Sequence, residues 1–287
     1  MKNQITQIYQ EKDKLWLILW LGGMMTLWIW DLLFLNAPAM AKVQLGFINT
    51  FIISLMVIVF SFLLSWLSGV GLYFLENFRI PVFYLIATFL LNIIRSVPQI
   101  VGILIGYIFL TVMIQNGILQ NSAAIILMTA FIISIFVFLE ISDLIRERIS
   151  YFKQRDFYNA MLVCGIPESR IINREILWKN SLAHIFNKLI SIFGMSIFLL
   201  CSIDFIVSVG LTTDVSSVNL PVTLGSLLAK IDSKQDILAI GHSLTNPGYF
   251  SRLFFEHLQG ITVAILIVFT LLCIYKISNG FAKRYEL

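Results

Sequence analysis

Charge is scarce in this sequence of 287 residues: 13% of its side chains are charged, about half the roughly 25% of an ordinary soluble domain. So thin a supply cannot cover the surface of a water-soluble fold of this length, which excludes that class. Cysteine is also sparse. Cys164, Cys201 and Cys273 are far apart and form no C-x-x-C pair, so they indicate neither a disulfide framework nor a zinc site and read as packing residues. The three histidines, His184, His242 and His257, are not at metal-ligand spacing, and the last two read as solvated loop residues. No Gly-Lys dipeptide occurs, which excludes a Walker-type phosphate cradle, and H-E-x-x-H and G-x-S-x-G are missing too. The chain is not expected to act as an enzyme or to bind a metal or cofactor itself. Its 20 basic residues fall into a few loops between uncharged stretches, not along one face, so nucleic acid is not an expected partner.

What the chain has in quantity is apolar residues, 59% of the total, and they come in runs long enough to cross a bilayer. A membrane helix needs about 20 mainly apolar residues, and five stretches qualify: 15–35, 46–68, 123–142, 182–203 and 258–278. Residues 80–115, with Arg95 and Pro98 in the middle, are too many for one straight span and few for two. Charge bias decides between the readings. If 80–115 holds one span, with 80–95 partly interfacial, three basic clusters fall on one side. These are Lys2, Lys12 and Lys14, the seven basic residues between Arg146 and Lys179, and Lys276, Lys283 and Arg284. The positive-inside rule makes that side cytoplasmic. The expected fold is therefore an all-α, polytopic membrane helix bundle of six transmembrane helices. Both termini are inside: a cytoplasmic 1–14 precedes a single transmembrane domain 15–287, with loop 143–181 inside and a long loop 204–257 outside. The first run resembles a secretory signal because Ala37, Ala39 and Ala41 follow it, but it is too long and contains Asp31, so it is expected to remain as a span.

Ionisable groups inside spans are the default functional candidates. Asp31, Glu140, Lys188 and Asp204 lie near expected span ends and read as snorkelling or facing water. Arg95 sits deep in an apolar run with Asn92 and Ser96 beside it and Pro98 after it, which points to a helix break facing protein or a water-filled path. No series of carboxylates is present for a proton relay. Gly102/Gly106 and Ser61/Ser65 are small-xxx-small pairs that allow close helix packing.

The inner loop carries the strongest signal. In 155–165, Phe157, Ala160, Met161 and Cys164 recur at helical spacing and form one apolar stripe. Gly165 is a helix stop, Pro167 suits a first helical turn, Glu168 favours the positive end of the next helix, and Ile172 and Ile176 continue its apolar face. Such a helix-turn-helix either packs on its own bundle or presents its stripe to a groove of another protein.

The stretch RERISYFKQRDFYNAMLVCGIPESRIINREILW (146–178) resembles the coupling loop of ABC-importer permeases, whose pattern is E-A-A, three residues, Gly, nine residues, then I-x-L-P. Gly165 matches the glycine and Ala160 the first alanine, while Arg170, Ile171, Ile172, Arg174, Ile176 and Leu177 match the usual continuation. NIIRSVPQIVGILI (92–105), LPVTLGSLL (220–228) and ISNGFAKR near the C-terminus are similar to segments of the peptide/nickel branch. Asn159, Met161 and Trp178 stand where that family has Glu, Ala and Pro, and its outer loop between the first two spans is missing.

The resemblance implies a type I importer permease in a bacterial inner membrane. Its ATPase-coupling residues would be Asp156, Phe157, Asn159, Ala160, Met161, Gly165, Arg170 and Arg174, and Arg95 and Pro98 would border the translocation path. Implied partners are cytoplasmic ATPase subunits that use ATP and Mg2+, a second permease subunit making a heterodimer, and an extracytoplasmic substrate-binding protein. The cargo would be peptides or another small solute such as a metal, methionine or phosphonate. The alternatives are a membrane scaffold or assembly protein without transport, and an ion-driven secondary transporter.

Overall fold

In the computed structural model, residues 11–77, 81–210, 220–229, 238, 241–249 and 258–285 are described. They are helical, with no strand among them. Helices α1 (Lys12–Phe34) and α2 (Ala37–Asn77) are followed by α3 (Pro81–Ser96), α4 (Gln99–Gln115), α5 (Ser122–Val137), α6 (Leu139–Lys153) and α7 (Asp156–Val163). A short α8 (Glu168–Arg170) runs on as a π-helical segment, Ile171–Asn180, before α9 (Leu182–Gly210), α10 (Leu224–Leu228) and α11 (Leu258–Arg284). Of the expected outer loop 204–257, the first residues belong to α9, residues 220–229 pack into the bundle, and most of the rest, His257 included, lies outside the described residues.

Four helices, Lys12–Phe34, Ala37–Asn77, Leu182–Ser208 and Gln259–Arg284, are long and apolar enough to cross a membrane, and six spans result if each of two bent pairs counts as one. That set of helices marks a multi-pass membrane protein. Exposed Leu17, Leu21, Met25, Ile29 and Leu33 on α1 form an apolar exterior that only lipid or another protein can cover. The first bent pair, α3/α4, turns by 98°. Its cause is Pro98, which has no N–H to donate and restricts Val97 before it, so the chain leaves one helix and starts another. The expected interfacial segment is thus a helix nearly at right angles to α4. The second pair, α5/α6, bends by 46° at Phe138, whose carbonyl accepts both the Ser142 N–H of its own ladder at 3.0 Å and Ser65 Oγ of α2 at 2.7 Å.

α2 has 41 residues, about 60 Å of helix against a hydrocarbon core of roughly 30 Å, so it extends well beyond that core. Residues 36–45, expected as a connection, begin it: Asn36 Oδ1 accepts from the Ala39 N–H at 2.9 Å and caps its first turn. One face of α2, with Ser54, Val57, Ser61, Ser65 and Gly69 buried, carries small side chains that let α5 and α6 approach. A Cβ on Gly69 would come within 2.9 Å of Ile145 Cγ2. Gly102 and Gly106 do the same on α4, where a Cβ would meet Phe136 at 2.2 Å and Ile132 at 2.3 Å. Both small-residue pairs therefore serve contacts within this chain. Cys201 and Cys273 are buried, as packing residues should be, but Cys164 is exposed.

Candidate functional site

The segment from α6 to the π-helix forms the helix-turn-helix expected from the sequence, and its turn is built in the backbone. Gly165 has φ +77°, a left-handed conformation that only glycine adopts without penalty. The Gly165 N–H donates to the Leu162 carbonyl at 2.9 Å and the Ile166 N–H to the Met161 carbonyl at 3.2 Å, the paired bonds of a Schellman ending. Ile166 and Met161, which that motif brings together, both pack against the main core. Pro167 is one position earlier than expected: it precedes the new helix, and Glu168 is the first helical residue.

Beyond Arg170 the backbone widens to π geometry. Ile171, Ile172, Ile176 and Leu177 are all fully buried, and the spacing of five between Ile171 and Ile176 and between Ile172 and Leu177 fits i→i+5 bonding. The four-residue spacing read from the sequence named two of these four residues.

The turn is tied to the protruding end of α2 by one carboxylate. Glu168 Oε1 accepts from Tyr73 Oη and Tyr158 Oη, each at 2.5 Å, and Oε2 accepts from Asn77 Nδ2 at 2.8 Å. Partial burial works to raise the Glu168 pKa, but the bonds from Tyr158 and Tyr73, nearby Lys153 and the bond from Asn77 outweigh it and hold the carboxyl below its ordinary value. Tyr158 is driven the other way, upward, by burial and by the Glu168 charge. Tyr158 is 3% exposed and is the anchor of α7, which the apolar stripe alone does not reveal. Tyr73 and Asn77, four residues apart at the end of an apolar run, were the available signal.

The stripe itself divides. Met161 turns inward, while Phe157, Ala160 and Cys164 are exposed together with Leu162 and Val163, and Val163 is 88% exposed. Asp156, Asn159, Arg170 and Arg174 are also exposed. The expected coupling residues other than Met161 therefore share the outer surface of this element, and the residue types facing out are apolar on α7 and basic on the following helix.

Elsewhere the charged candidates are paired. Arg95 Nη2 donates to Asp143 Oδ1 and Oδ2 at 2.7 and 2.8 Å, with both side chains about half exposed. The pair joins the end of α3 to α6 at the α3/α4 break, next to Pro98. Lys188 and Glu140, each about a third exposed, form an ion pair at 2.7 Å between α9 and α6. Asp31, 3% exposed, accepts from Thr262 Oγ1 of α11 at 2.8 Å.

Asp204, 7% exposed, accepts from Thr223 Oγ1. Thr223 opens α10, which is clamped on three sides: Asn49 Nδ2 donates to Val222 O at 2.8 Å, the Leu224 N–H donates to Thr50 Oγ1 at 3.0 Å, and Gly225 lies on α9. Water is scarce around these carboxylates in an apolar bundle, so hydroxyl donors on neighbouring elements satisfy them instead. No group of three or more His, Cys, Asp or Glu residues that could hold a metal exists among the described residues. No protein-family model matches the chain, and no characterised protein sequence matches it.

Proposed function

We propose that this chain is the transmembrane permease subunit of an ATP-driven ABC importer. It would form half of a translocation path and couple to a separate cytoplasmic ATPase. The observation that carries the reading is the element at 156–177. It is rigidly seated through Glu168 and Tyr158, yet turns Phe157, Leu162 and Val163 outward. An anchored helix with its apolar residues in water is poorly explained by packing on its own bundle, and well explained by a groove on a partner. Closure of the ATPase pair would move α7, and the Glu168 cluster would pass that movement to the end of α2. The Arg95–Asp143 pair, half exposed beside the α3/α4 break, would border the path. On this reading a second permease subunit and a substrate-binding protein complete the importer, both termini are cytoplasmic, and peptides or another small solute are the cargo.

The test is uptake by vesicles reconstituted with the chain, its ATPase and its companion subunit, comparing the natural protein with Gly165→Val. A β-branched residue at φ +77° distorts the turn, so ATP hydrolysis should continue while uptake falls at least tenfold. Undiminished uptake, or uptake driven by an ion gradient without ATP, refutes the reading.

A further inference from the structure

Where the start of α1 meets the end of α11, the fold makes a basic cleft that neither the helix-turn-helix nor the Arg95 region uses. It has a volume of about 570 Å³ and is lined by Lys12, Trp16, Tyr275, Lys276, Asn279 and Lys283 among others, within the roughly 300–1,000 Å³ typical of small-ligand sites. Gly280 sets its geometry. A Cβ there would lie 2.6 Å from the Asp13 nitrogen and 3.0 Å from Asp13 Cα, so only glycine lets the two backbones come close enough to set Lys12 beside Lys283.

The carboxylates of this corner are already engaged. Asp13 pairs with Arg284 at 2.6 Å, and Glu11 pairs with Lys14 at 2.5 Å. Lys12, Lys276 and Lys283 have no acidic partner among the described residues, which leaves three positive charges around one cleft. Lys276 lies 5.9 Å from the rings of both Trp16 and Tyr275. Tryptophan and tyrosine at the end of an apolar helix favour the headgroup level of a bilayer, and both α1 and α11 continue from here into lipid-length apolar runs. A cavity at that depth, cationic at its rim and continuous with a lipid-facing surface, has the chemistry for a phosphodiester carrying a negative charge.

We infer that the Lys12/Lys276/Lys283 cleft is a binding site for the phosphate headgroup of an anionic phospholipid. The bound lipid would brace α1 against α11 by neutralising the three lysines. This inference does not depend on the transporter reading: it needs only that α1 and α11 cross the membrane and end on the same side.

The experiment reconstitutes the full chain in vesicles of phosphatidylcholine doped with phosphatidylglycerol, extracts it in detergent, and reads bound lipid by native mass spectrometry. Phosphatidylglycerol should be retained in clear excess over its share of the vesicle, and each of Lys12→Gln, Lys276→Gln and Lys283→Gln should lower that retention about fivefold. The triple Lys→Arg variant, which keeps the charge, should retain it. Circular dichroism confirms that each variant is helical, and Lys276→Gln alone, at an exposed position, serves if the triple variants do not fold. Equal retention of the two lipids, or retention unchanged in the helical Lys→Gln variants, overturns the assignment. A lipid-free protein that holds inorganic phosphate as firmly as phosphatidylglycerol also overturns it, because the cleft would then be a site for a soluble anion.

Discussion

Two glycines mark the two ends of this bundle and are used in opposite ways. A Cβ on Gly225 would lie 2.5 Å from the Cys201 carbonyl oxygen and 2.6 Å from its Cα, so the residue is required by its neighbours. Gly165 has nothing within 4 Å of that position and is required by its own φ of +77°. Around Gly225, α10 is locked to α2 and α9 by Asn49, Thr50 and Asp204. Around Gly165, one carboxylate and a buried tyrosine hold the turn, and the apolar residues of α7 remain uncovered. The first end is closed by contacts within this chain, whereas the second leaves Phe157, Leu162 and Val163 exposed.

The same substitution at both glycines breaks the comparison open. Gly225→Ala drives a methyl group into backbone that cannot yield, and should cost about 3 kcal/mol, seen as a lower unfolding temperature in detergent and poor recovery of folded protein. Asp204→Leu should follow, at about 2 kcal/mol, because it leaves the buried Thr223 hydroxyl without its acceptor in the bundle. A mild effect in both variants would mean that α10 is not fastened as described.

Gly165→Ala meets open space and bears only the left-handed penalty, about 1 kcal/mol. If it destabilises the protein as much as Gly225→Ala does, the contrast between the two ends fails.

The Glu168 anchor sharpens the comparison further. Glu168→Gln keeps the shape but loses the charge that three donors address, and should cost about 1 kcal/mol or less at this half-exposed position. Hydrogen exchange at Ile166–Ile171 should quicken, while exchange in 222–228 stays the same. Acid should do to the natural protein what the variant does. The folded carboxyl titrates below its ordinary value, so its contribution is complete above the ordinary glutamate pKa of about 4.3. That contribution is lost as pH falls through the lower, folded value. Fast exchange at the turn should therefore appear in the natural protein only below about pH 4, and the variant should show no such transition.

How far these features were legible in the sequence depends on the distance over which each is determined. The Gly165 turn is local, set by one residue's backbone preference and a helical stripe that ends there, and it was readable. The break at Pro98 was readable for the same reason. Pro167 came out one residue from its expected role because helix starts accommodate proline on either side of the first turn. The inner face of the next helix was only half visible: its burial follows a π-helical spacing of five, and an α-helical template picks out Ile172 and Ile176 but passes over Ile171 and Leu177. Tyr158 was missed because its hydroxyl removes it from an apolar pattern, although its ring is what buries. Asp31 and Asp204 were misread as solvated because nearness to a span end is a property of one helix. Their partners, Thr262 and Thr223, lie on different ones, and the pairing of Glu140 with Lys188 crosses helices in the same way. Asp143 as the partner of Arg95 was hidden for the same reason, being 48 positions away.

The most direct measurement of the central claim uses a substitution that the fold should not feel. Val163, 88% exposed, can become aspartate with a stability change within about 0.5 kcal/mol, yet the charge would fall in the middle of the uncovered apolar surface of α7. Affinity-tagged natural protein, purified in mild detergent from its own membranes, should bring down an ATPase that hydrolyses ATP, and the Val163→Asp protein, equally folded, should bring down at most about a tenth as much. Capture of the same amount of ATPase by both proteins, or of none by the natural one, would contradict the account.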